Sequence, residues 1–212
     1  MKKVVLILSG GLDSSTLLYY LINKEYEVNA LSFNYGQKGH EELKRASKIC
    51  ELNNVKHKVI DIQNIVEVFS KSSLTSAENT NTNSPKDTVV PSRNTILLSL
   101  ATAYAISNDC KEVYYGAIAD DVGDYPDTTL EFLESMNELN KVNNYEYIPI
   151  KAPFVKCSKE EIVKKALELD VPIDLTFSCY QPKEDGSPCN ECISCRSRIT
   201  AIENVKKSMQ ND

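Results

Sequence analysis

Apolar and polar positions follow each other along the first third of the chain in the order expected of parallel strands joined by helices. An unbroken apolar run over residues 4–8 predicts a buried strand, and residues 28–33 and 55–60 predict two more. Between these runs, residues 14–22 and 41–52 have apolar positions at helical spacing. Strands and helices in alternation indicate βαβ units. The pattern therefore predicts an α/β fold, with a parallel sheet and helices on both faces.

The same alternation returns in the second half of the chain. Residues 112–116 are β-formers and predict a strand followed by a polar loop rich in Asp. The predicted helices cover residues 93–107, 128–140 and 195–208. Ser92 is predicted to be the N-cap of the first of these. Ser158 and Glu161 have the spacing of a capping box, which predicts a further helix after Ser158.

The segment of residues 70–88 interrupts the pattern. Twelve of its nineteen residues are Ser, Thr or Asn, so it offers little apolar area to bury. Two interpretations stay open. The segment is either a disordered surface loop or a lid over an active site.

Composition limits the class of protein. At 212 residues and 42% hydrophobic residues, the chain can form one domain with a small appendage. A net charge of −6 argues against a broad surface for nucleic acid or anionic membranes. The N-terminal apolar run is too short for a membrane span or a signal peptide. We therefore expect a soluble, cytoplasmic protein with no nucleic-acid or membrane partner.

Four of the seven cysteines lie within seventeen residues, at Cys179, Cys189, Cys192 and Cys195. Four thiolates in this spacing suit a closed tetrahedral site for structural zinc, and an iron–sulfur cluster is the competing interpretation. Zinc is favoured because no histidine and no open position is implied. The predicted division is an α/β domain over residues 1–170 and a four-cysteine zinc-binding segment over residues 171–212, packed on that domain.

The sequence SGGLDSS joins the first predicted strand to the first predicted helix. Gly10 and Gly11 allow the backbone to approach a ligand closely, and Ser9, Ser14 and Ser15 add hydroxyl groups. The N-terminus of the helix directs free N–H groups at the same place. The motif is neither a Walker A loop nor GxGxxG. A tight turn capped by Ser14 is the alternative, and phosphate binding is favoured over it.

This junction resembles the SGGxDS signature of the PP-loop ATP pyrophosphatases, enzymes with a Rossmann-like fold of the adenine nucleotide alpha-hydrolase type. With the spacing of the four cysteines, the chain resembles the 7-cyano-7-deazaguanine synthase (QueC) family. Further stretches agree with that family: SFNYGQK at 32–38, VVPSRN at 89–94, DYPD at 124–127 and SCYQ at 178–181. The resemblance covers nearly the whole chain and suggests a cytoplasmic homodimer.

The resemblance implies a set of site residues. The ATP phosphates, with Mg²⁺, would be held by Ser9, Gly10, Gly11, Leu12, Asp13, Ser14 and Ser15. The adenosine would lie against Phe33 and Tyr35. The substrate would contact Arg93, Asn94, Asp121, Tyr125 and Asp127. The catalytic residues implied are Asp13, Ser14, Arg93 and Asp127. Simpler interpretations are a surface charge for Arg93, an N-cap for Asp127 and solvated loop acids for Asp120 and Asp121.

The reaction implied by the resemblance uses only small molecules: ATP, ammonia and 7-carboxy-7-deazaguanine. ATP adenylates the carboxylate, ammonia displaces AMP to give an amide, and a second ATP activates the amide oxygen so that the nitrile forms. AMP and pyrophosphate are released. The tasks left to the protein are alignment of the oxygen with the α-phosphate and neutralisation of the departing charge.

The chain departs from the family pattern in three places. Ser92 replaces a glycine, and Gly39 replaces a histidine that is moved to His40. In the loop DVGDYPDTT, residues 123–124 replace Ser-Gly and residues 128–129 replace Cys-Arg. Loss of an arginine and gain of an acid leave the acceptor open. The alternatives are a divergent ligase that conjugates a deazaguanine acid to another amine, even a protein amine as in an antiphage system, and a non-catalytic nucleotide sensor.

Overall fold

A computed structural model describes residues 1–121 and 125–210. In this part of the chain, a parallel sheet has the strand order β3-β2-β1-β4-β5. The strands are β1 (Lys3–Ile7), β2 (Glu27–Asn34), β3 (Lys56–Asp61), β4 (Val113–Tyr114) and β5 (Ile150–Lys151). The helices are α1 (Leu12–Asn23), α2 (Glu41–Leu52), α3 (Pro85–Thr88), α4 (Arg93–Ser107), α5 (Leu130–Asn143), α6 (Lys159–Glu168) and α7 (Ile193–Gln210). Short 3₁₀ helices cover Gln63–Phe69, Ala119–Asp121, Pro126–Thr128 and Ile173–Leu175. The predicted α/β fold with a parallel sheet is confirmed.

The chain changes direction across the sheet at β1. It builds β2 and β3 on one side of β1, then crosses over to build β4 and β5 on the other side. In an open parallel sheet, such a switch point leaves a crevice beyond the carboxyl ends of the two adjoining strands. The loop SGGLDSS follows β1 directly, so the topology places it at this crevice.

Most predicted elements are confirmed, and the differences have simple causes. Helices α2 and α4 have the predicted bounds, and the capping box of α6 forms, with Glu161 N–H donating to Ser158 Oγ at 3.2 Å. The predicted strand over residues 112–116 is shorter, since only Val113 and Tyr114 pair with β1. Strand β5 was not predicted, because two residues at a sheet edge give no periodic signal.

The strands of the sheet direct alternate side chains into two cores. Val4 and Leu6 of β1 pack with α1 and α6, whereas Val5 packs with α4 and α5 on the opposite face. Ala201 and Val205 of α7 belong to the first core. The C-terminal helix therefore shares its apolar contacts with the helices that cover the sheet. No described helix is both long enough and apolar enough to cross a membrane.

The polar segment of residues 70–88 is held by hydrogen bonds, some within the segment and some to the body of the protein. Lys38 N–H donates to the Leu74 carbonyl at 2.9 Å, and Ser73 N–H donates to the Asp87 carbonyl at 2.8 Å. Asn81 Nδ2 donates to Asp87 Oδ2 at 2.6 Å, and Leu74 is buried. This packing argues against the disordered interpretation, while the role as a lid stays a prediction.

Ser92 begins α4 in a left-handed conformation, with φ at +54°. Its carbonyl accepts the N–H of Ile96, but its side chain makes no capping bond. Ser92 is thus the N-cap residue as predicted, but its side chain does not cap the helix, because a side-chain cap needs an extended backbone. The left-handed backbone also explains why a glycine is usual here in the family that the sequence resembles.

Replacing Ser92 with glycine should stabilise the protein. A left-handed backbone costs an L-residue about 1–2 kcal/mol, part of which is offset by the extra freedom of glycine in the unfolded chain. We expect Ser92→Gly to raise the free energy of unfolding by roughly 1 kcal/mol, measured by urea denaturation. Ser84→Gly is the matched control, because Ser84 begins α3 with φ at −118° and should gain nothing. Equal changes in both variants would contradict this account of Ser92.

Candidate functional site

A cavity of about 310 Å³ lies beyond the carboxyl ends of β1, β2 and β4, at the switch point. Its wall includes Ser9, Gly11, Asp13 and Ser14, together with residues from α2, α4 and the C-terminal segment. A smaller cavity of about 80 Å³ adjoins it, sharing Leu74, Arg93, Asp121, Tyr125, Thr128 and Tyr180 with the first. The two together form the candidate site.

Gly10 is fixed by packing against two other parts of the chain. A side chain on Gly10 would place its Cβ 2.2 Å from the carbonyl oxygen of Glu42, and φ is +89°. On its other side, the Gly10 carbonyl accepts the N–H of Phe177 at 2.8 Å. Gly10 itself is absent from the cavity wall, so its need for glycine is a matter of packing and conformation.

The serines of the loop form a compact group of hydroxyls at the N-terminus of α1. Ser9 Oγ lies 3.0 Å from Ser14 Oγ, which also accepts the N–H of Ser9 at 3.2 Å. Gly11 N–H donates to Ser9 Oγ at 3.2 Å. Gly116 follows β4, and a Cβ there would lie 3.1 Å from the backbone nitrogen of Ser14. The missing side chain lets β4 approach the helix end closely.

Two members of the implied phosphate-binding set lie below the cavity. Leu12 and Ser15 are fully buried, and neither lines the wall. The Ser15 hydroxyl has no hydrogen-bond partner among the residues that the structure describes. Both point from α1 into the interior because the helix turns them away from the loop. Their side chains therefore do not reach the place where a phosphate would sit.

Asp13 forms an ion pair that the sequence analysis did not foresee. Lys159 Nζ donates to both carboxylate oxygens of Asp13, at 2.8 and 2.7 Å. Lys159 is the first residue of α6, and its backbone N–H donates to Asp120 Oδ2 at 2.7 Å. The two partners are 146 residues apart in the chain. The only sequence signal at Lys159 was the capping box beside it, which predicts a helix start and no function.

Carboxylates gather around this ion pair. Asp13, Asp120 and Asp121 all line the cavity. Burial and, next, the negative charge of Asp13 raise the pKa of Asp121 to about 6, while Lys159 lowers it. Asp121 is therefore not a solvated loop acid. Carboxylate oxygens are the ligands that Mg²⁺ prefers, and a divalent cation would relieve the repulsion between Asp13 and Asp121.

Arg93 lies in the wall of both cavities, at the start of α4. Its guanidinium carbon is 5.8 Å from the centre of the Tyr35 ring, and Nη1 donates to the Tyr35 hydroxyl at 3.3 Å. Burial opposes the charge, but Tyr35, Tyr180 and Asp127 raise the pKa of Arg93 above its ordinary value. The interpretation of Arg93 as a surface charge is therefore wrong.

Asp127 lines the smaller cavity and binds Asn94, the residue that follows Arg93 in α4. Asn94 N–H donates to Asp127 Oδ2 at 3.4 Å, and Asn94 Nδ2 donates to the Asp127 carbonyl at 3.2 Å. Asp127 is not the N-cap of α5. Thr129 has that role, since its Oγ1 accepts the N–H of Phe132 at 3.1 Å. Tyr125 shares the same wall, with its hydroxyl 2.7 Å from Thr88 Oγ1.

The departures from the family pattern fall in different surroundings. Gly39 lines the cavity, where an added Cβ would lie 3.3 Å from the Cys179 carbonyl, whereas His40 is exposed. Thr128 is buried and donates to the Tyr125 carbonyl at 2.7 Å. Gly123 and Asp124 lie outside the described residues.

Glu42 is a further cavity residue that the sequence analysis missed. Gln37 Nε2 donates to Glu42 Oε1 at 3.1 Å and to the Phe33 carbonyl at 3.0 Å. Gln37 Oε1 in turn accepts the N–H of Tyr35 at 2.9 Å. Burial raises the pKa of Glu42 to about 7, and the hydrogen bond from Gln37 and the charge of Arg93 oppose that shift. Glu42 belongs to the polar side of an amphipathic helix, so its pattern predicted only a solvated residue.

The four clustered cysteines come together as predicted. The Sγ atoms of Cys179, Cys189, Cys192 and Cys195 lie within 4.8 Å of one another. Cys189 Sγ lies 3.4 Å from Cys179 Sγ and 3.9 Å from Cys195 Sγ. A tetrahedral ion with bonds of about 2.3 Å to sulfur requires sulfurs about 3.8 Å apart. The cluster therefore fits a metal ion.

Backbone groups support the sulfur atoms and connect the cluster with the site. Cys189 N–H donates to Cys179 Sγ, and Cys192 N–H donates to Cys189 Sγ, both at 3.3 Å. Such bonds orient thiolates around a metal. Ile193 N–H donates to the Thr82 carbonyl at 3.1 Å, which joins the cluster to the polar segment.

Comparisons with known proteins agree on one family. The profile of the family described as "Queuosine biosynthesis protein QueC" matches residues 3–206. The chain is 44% identical over 211 residues to 7-cyano-7-deazaguanine synthase of Pseudoalteromonas atlantica, covering 95% of this chain and 94% of that protein. It is 43% identical over 208 residues to the synthase of the same name from Caldicellulosiruptor saccharolyticus, covering 96% and 92%.

A solved structure shares the fold at much lower identity. It is the U34-tRNA thiolase NcsA from Methanococcus maripaludis with its [4Fe-4S] cluster. The TM-score is 0.56 at 17% identity, covering 100% of this chain and 73% of that chain. This likeness concerns the fold alone.

Proposed function

The chain belongs to the QueC family of queuosine biosynthesis proteins, and from that premise we propose that it is an ATP-dependent 7-cyano-7-deazaguanine synthase. The proposal rests on one feature above all. The hydroxyls of Ser9 and Ser14 lie at the N-terminus of α1, where Lys159 pairs with Asp13, and these residues line one cavity with Arg93. A site for a polyphosphate and a site for an organic acid therefore adjoin each other.

The loop would bind the pyrophosphate part of ATP. Gly11 and Ser14 present backbone and hydroxyl donors at the positive end of α1. Lys159 would move from Asp13 to a phosphate oxygen and neutralise the charge that develops as pyrophosphate leaves. Phe33 and Tyr35, at the end of β2, would lie against the adenosine. These contacts align the α-phosphate with the attacking oxygen of the acid.

Mg²⁺ bound with ATP would supply positive charge that offsets the charge of the phosphates. Asp13 and Asp121 would hold it, since both line the cavity and their mutual repulsion would be relieved by a cation. Asp13 would thus exchange its ion pair with Lys159 for the metal. The pair keeps both groups in place when ATP is absent.

The deazaguanine acid would lie against the wall formed by α4 and the 3₁₀ segment Pro126–Thr128. Arg93 would pair with its carboxylate, since guanidinium and carboxylate match in shape and charge. Asn94, Tyr125 and Asp127 would bind the polar edge of the heterocycle. Arg93 would then also hold the carboxylate as its oxygen attacks the α-phosphate.

Incubation of the purified protein with ATP, Mg²⁺, ammonia and 7-carboxy-7-deazaguanine tests the function. We expect AMP, pyrophosphate, the amide and then the nitrile, each followed by mass spectrometry. Absence of AMP and of both products would contradict the proposal. Amide without nitrile would instead support a diverted ligase, and tight ATP binding without turnover would support a nucleotide sensor.

Replacing Lys159 with alanine should slow the reaction without unfolding the protein. A positioned charge of this kind is worth about 10²–10³ in kcat, so Lys159→Ala should lose about that factor in AMP release. Its KM for the acid should change little, because Arg93 rather than Lys159 faces that substrate. Lys156→Ala is the matched control, since Lys156 is exposed three residues earlier. An unchanged kcat for Lys159→Ala would remove the role assigned to Lys159.

We propose that the cysteine cluster holds structural zinc. Four sulfurs supply the complete tetrahedral coordination of a structural zinc ion, and zinc would contribute folding energy to the segment. Cys192→Ser should lose the metal and lower Tm by more than about 10 °C. Cys157 lies outside the cluster, so Cys157→Ser should keep the metal and the native Tm. Elemental analysis that finds iron and sulfide in the native protein would contradict zinc.

A further inference from the structure

We propose that Glu42 binds the ammonium ion in the cavity and takes its proton, so that ammonia is released beside the adenylated acid. This inference rests on the proposed function, since it assigns the nucleophile of that reaction to a place in the wall. Glu42 lines the main cavity from the first turn of α2. It lies outside the group of residues around Lys159 that would bind the phosphates.

The Glu42 carboxyl is held by one hydrogen bond, and its backbone is held by packing against the loop. Gln37 is buried and donates to Oε1 at 3.1 Å, while its remaining bonds go to the backbone of Phe33 and Tyr35 at the end of β2. The Glu42 carbonyl packs against Gly10 of the loop. One carboxylate oxygen thus has a protein donor, and the carboxylate keeps capacity for a donor that enters the cavity.

Glu42 and Arg93 line the same cavity, and Tyr35 and Gln37 link them. Arg93 Nη1 donates to the Tyr35 hydroxyl, Tyr35 N–H donates to Gln37 Oε1, and Gln37 Nε2 donates to Glu42 Oε1. Arg93 is where the acid's carboxylate would bind. A nucleophile released at Glu42 would therefore lie next to the activated carbon. The other cavity carboxylates have other roles, Asp121 as the second residue that would hold Mg²⁺. Asp13 accepts two bonds from Lys159, and Asp120 accepts the Lys159 N–H.

The chemistry requires such an acceptor. At neutral pH, ammonia is present almost wholly as ammonium, which has no lone pair for attack. Transfer of one proton from ammonium to the Glu42 carboxylate gives ammonia and a neutral carboxylic acid. The nitrogen then forms a bond to the acyl carbon, and the bond from that carbon to the oxygen of AMP breaks. The amide nitrogen loses its extra proton to water, and Glu42 returns its own proton to solvent.

The surroundings of Glu42 suit a group that both accepts and returns a proton. The charged group that acts on it is Arg93 from α4, and Glu42 in turn raises the pKa of Tyr35 after β2. Burial raises the pKa of Glu42 to about 7, against the opposing charge of Arg93. The carboxylate fraction therefore grows as the pH rises through 7, and the ammonia-dependent rate should rise with it.

Glu42→Gln tests the inference through the choice of nucleophile. With ammonium at pH 7, the variant should form amide at least about 100-fold more slowly than the native protein. With hydroxylamine, which is unprotonated at pH 7, hydroxamate formation should stay near the native rate. Raising the pH above the pKa of ammonium should restore most of the amide rate. Exchange of labelled pyrophosphate into ATP, which needs the acid but no ammonia, should be unchanged.

Glu41→Gln is the matched control, because Glu41 lies beside Glu42 on α2 and pairs with Lys44. It should behave as the native protein with both nucleophiles. An equal loss with ammonium and hydroxylamine, a loss of pyrophosphate exchange, or a native ammonia-dependent rate at pH 7 in Glu42→Gln would each overturn the inference. Absence of acid-dependent exchange in the native protein would instead contradict the proposed function, so the two failures are distinct.

Discussion

The position of one glycine backbone connects three parts of the chain that line the cavity: the loop after β1, α2 and the C-terminal segment. Gly10 has no side chain, which lets α2 approach until the Glu42 carbonyl occupies the space of a Cβ, and its own carbonyl holds Phe177 of the C-terminal segment. The loop after β1 is thereby fixed against α2 on one side and against the segment that leads to Cys179 on the other. Any larger residue would separate these elements and open the cavity, since a Cβ 2.2 Å from a backbone oxygen cannot be accommodated.

The first glycine of SGGLDS is therefore a packing residue, whereas the second faces the cavity. Sequence alone could not separate these roles, because both glycines are consistent with close approach of the backbone to a ligand. The roles differ through partners that lie far along the chain. The same holds for Lys159, whose partner Asp13 is 146 residues away. Local patterns report helix starts and strand ends, and they do not report which two ends meet.

What the sequence did predict follows from periodicity and from spacing. We could predict the parallel sheet, the bounds of α2 and α4 and the meeting of four cysteines. Each prediction uses a pattern of residues that lie close together in the chain. Strand β5 and Glu42 were missed because a two-residue strand has no period and a polar helix position looks solvated. The segment of residues 70–88 was judged by apolar content, yet its packing depends on backbone and side-chain hydrogen bonds.

The charges in the wall set the conditions under which the cavity can take two anions. Among the described lining residues, Asp13, Glu42, Asp120 and Asp121 are acidic, and Arg93 and Lys159 are basic. A polyphosphate and a carboxylate would enter a cavity whose wall already has a net negative charge when all these groups are ionised. A divalent cation at Asp13 and Asp121 and a proton on Glu42 would each remove negative charge there. The raised pKa values of Glu42 and Asp121 have burial as their common first cause, and at Asp121 the negative charge of Asp13 adds to it. The cations that would accompany the substrates therefore enter a wall whose buried carboxyl groups favour a bound cation or a proton.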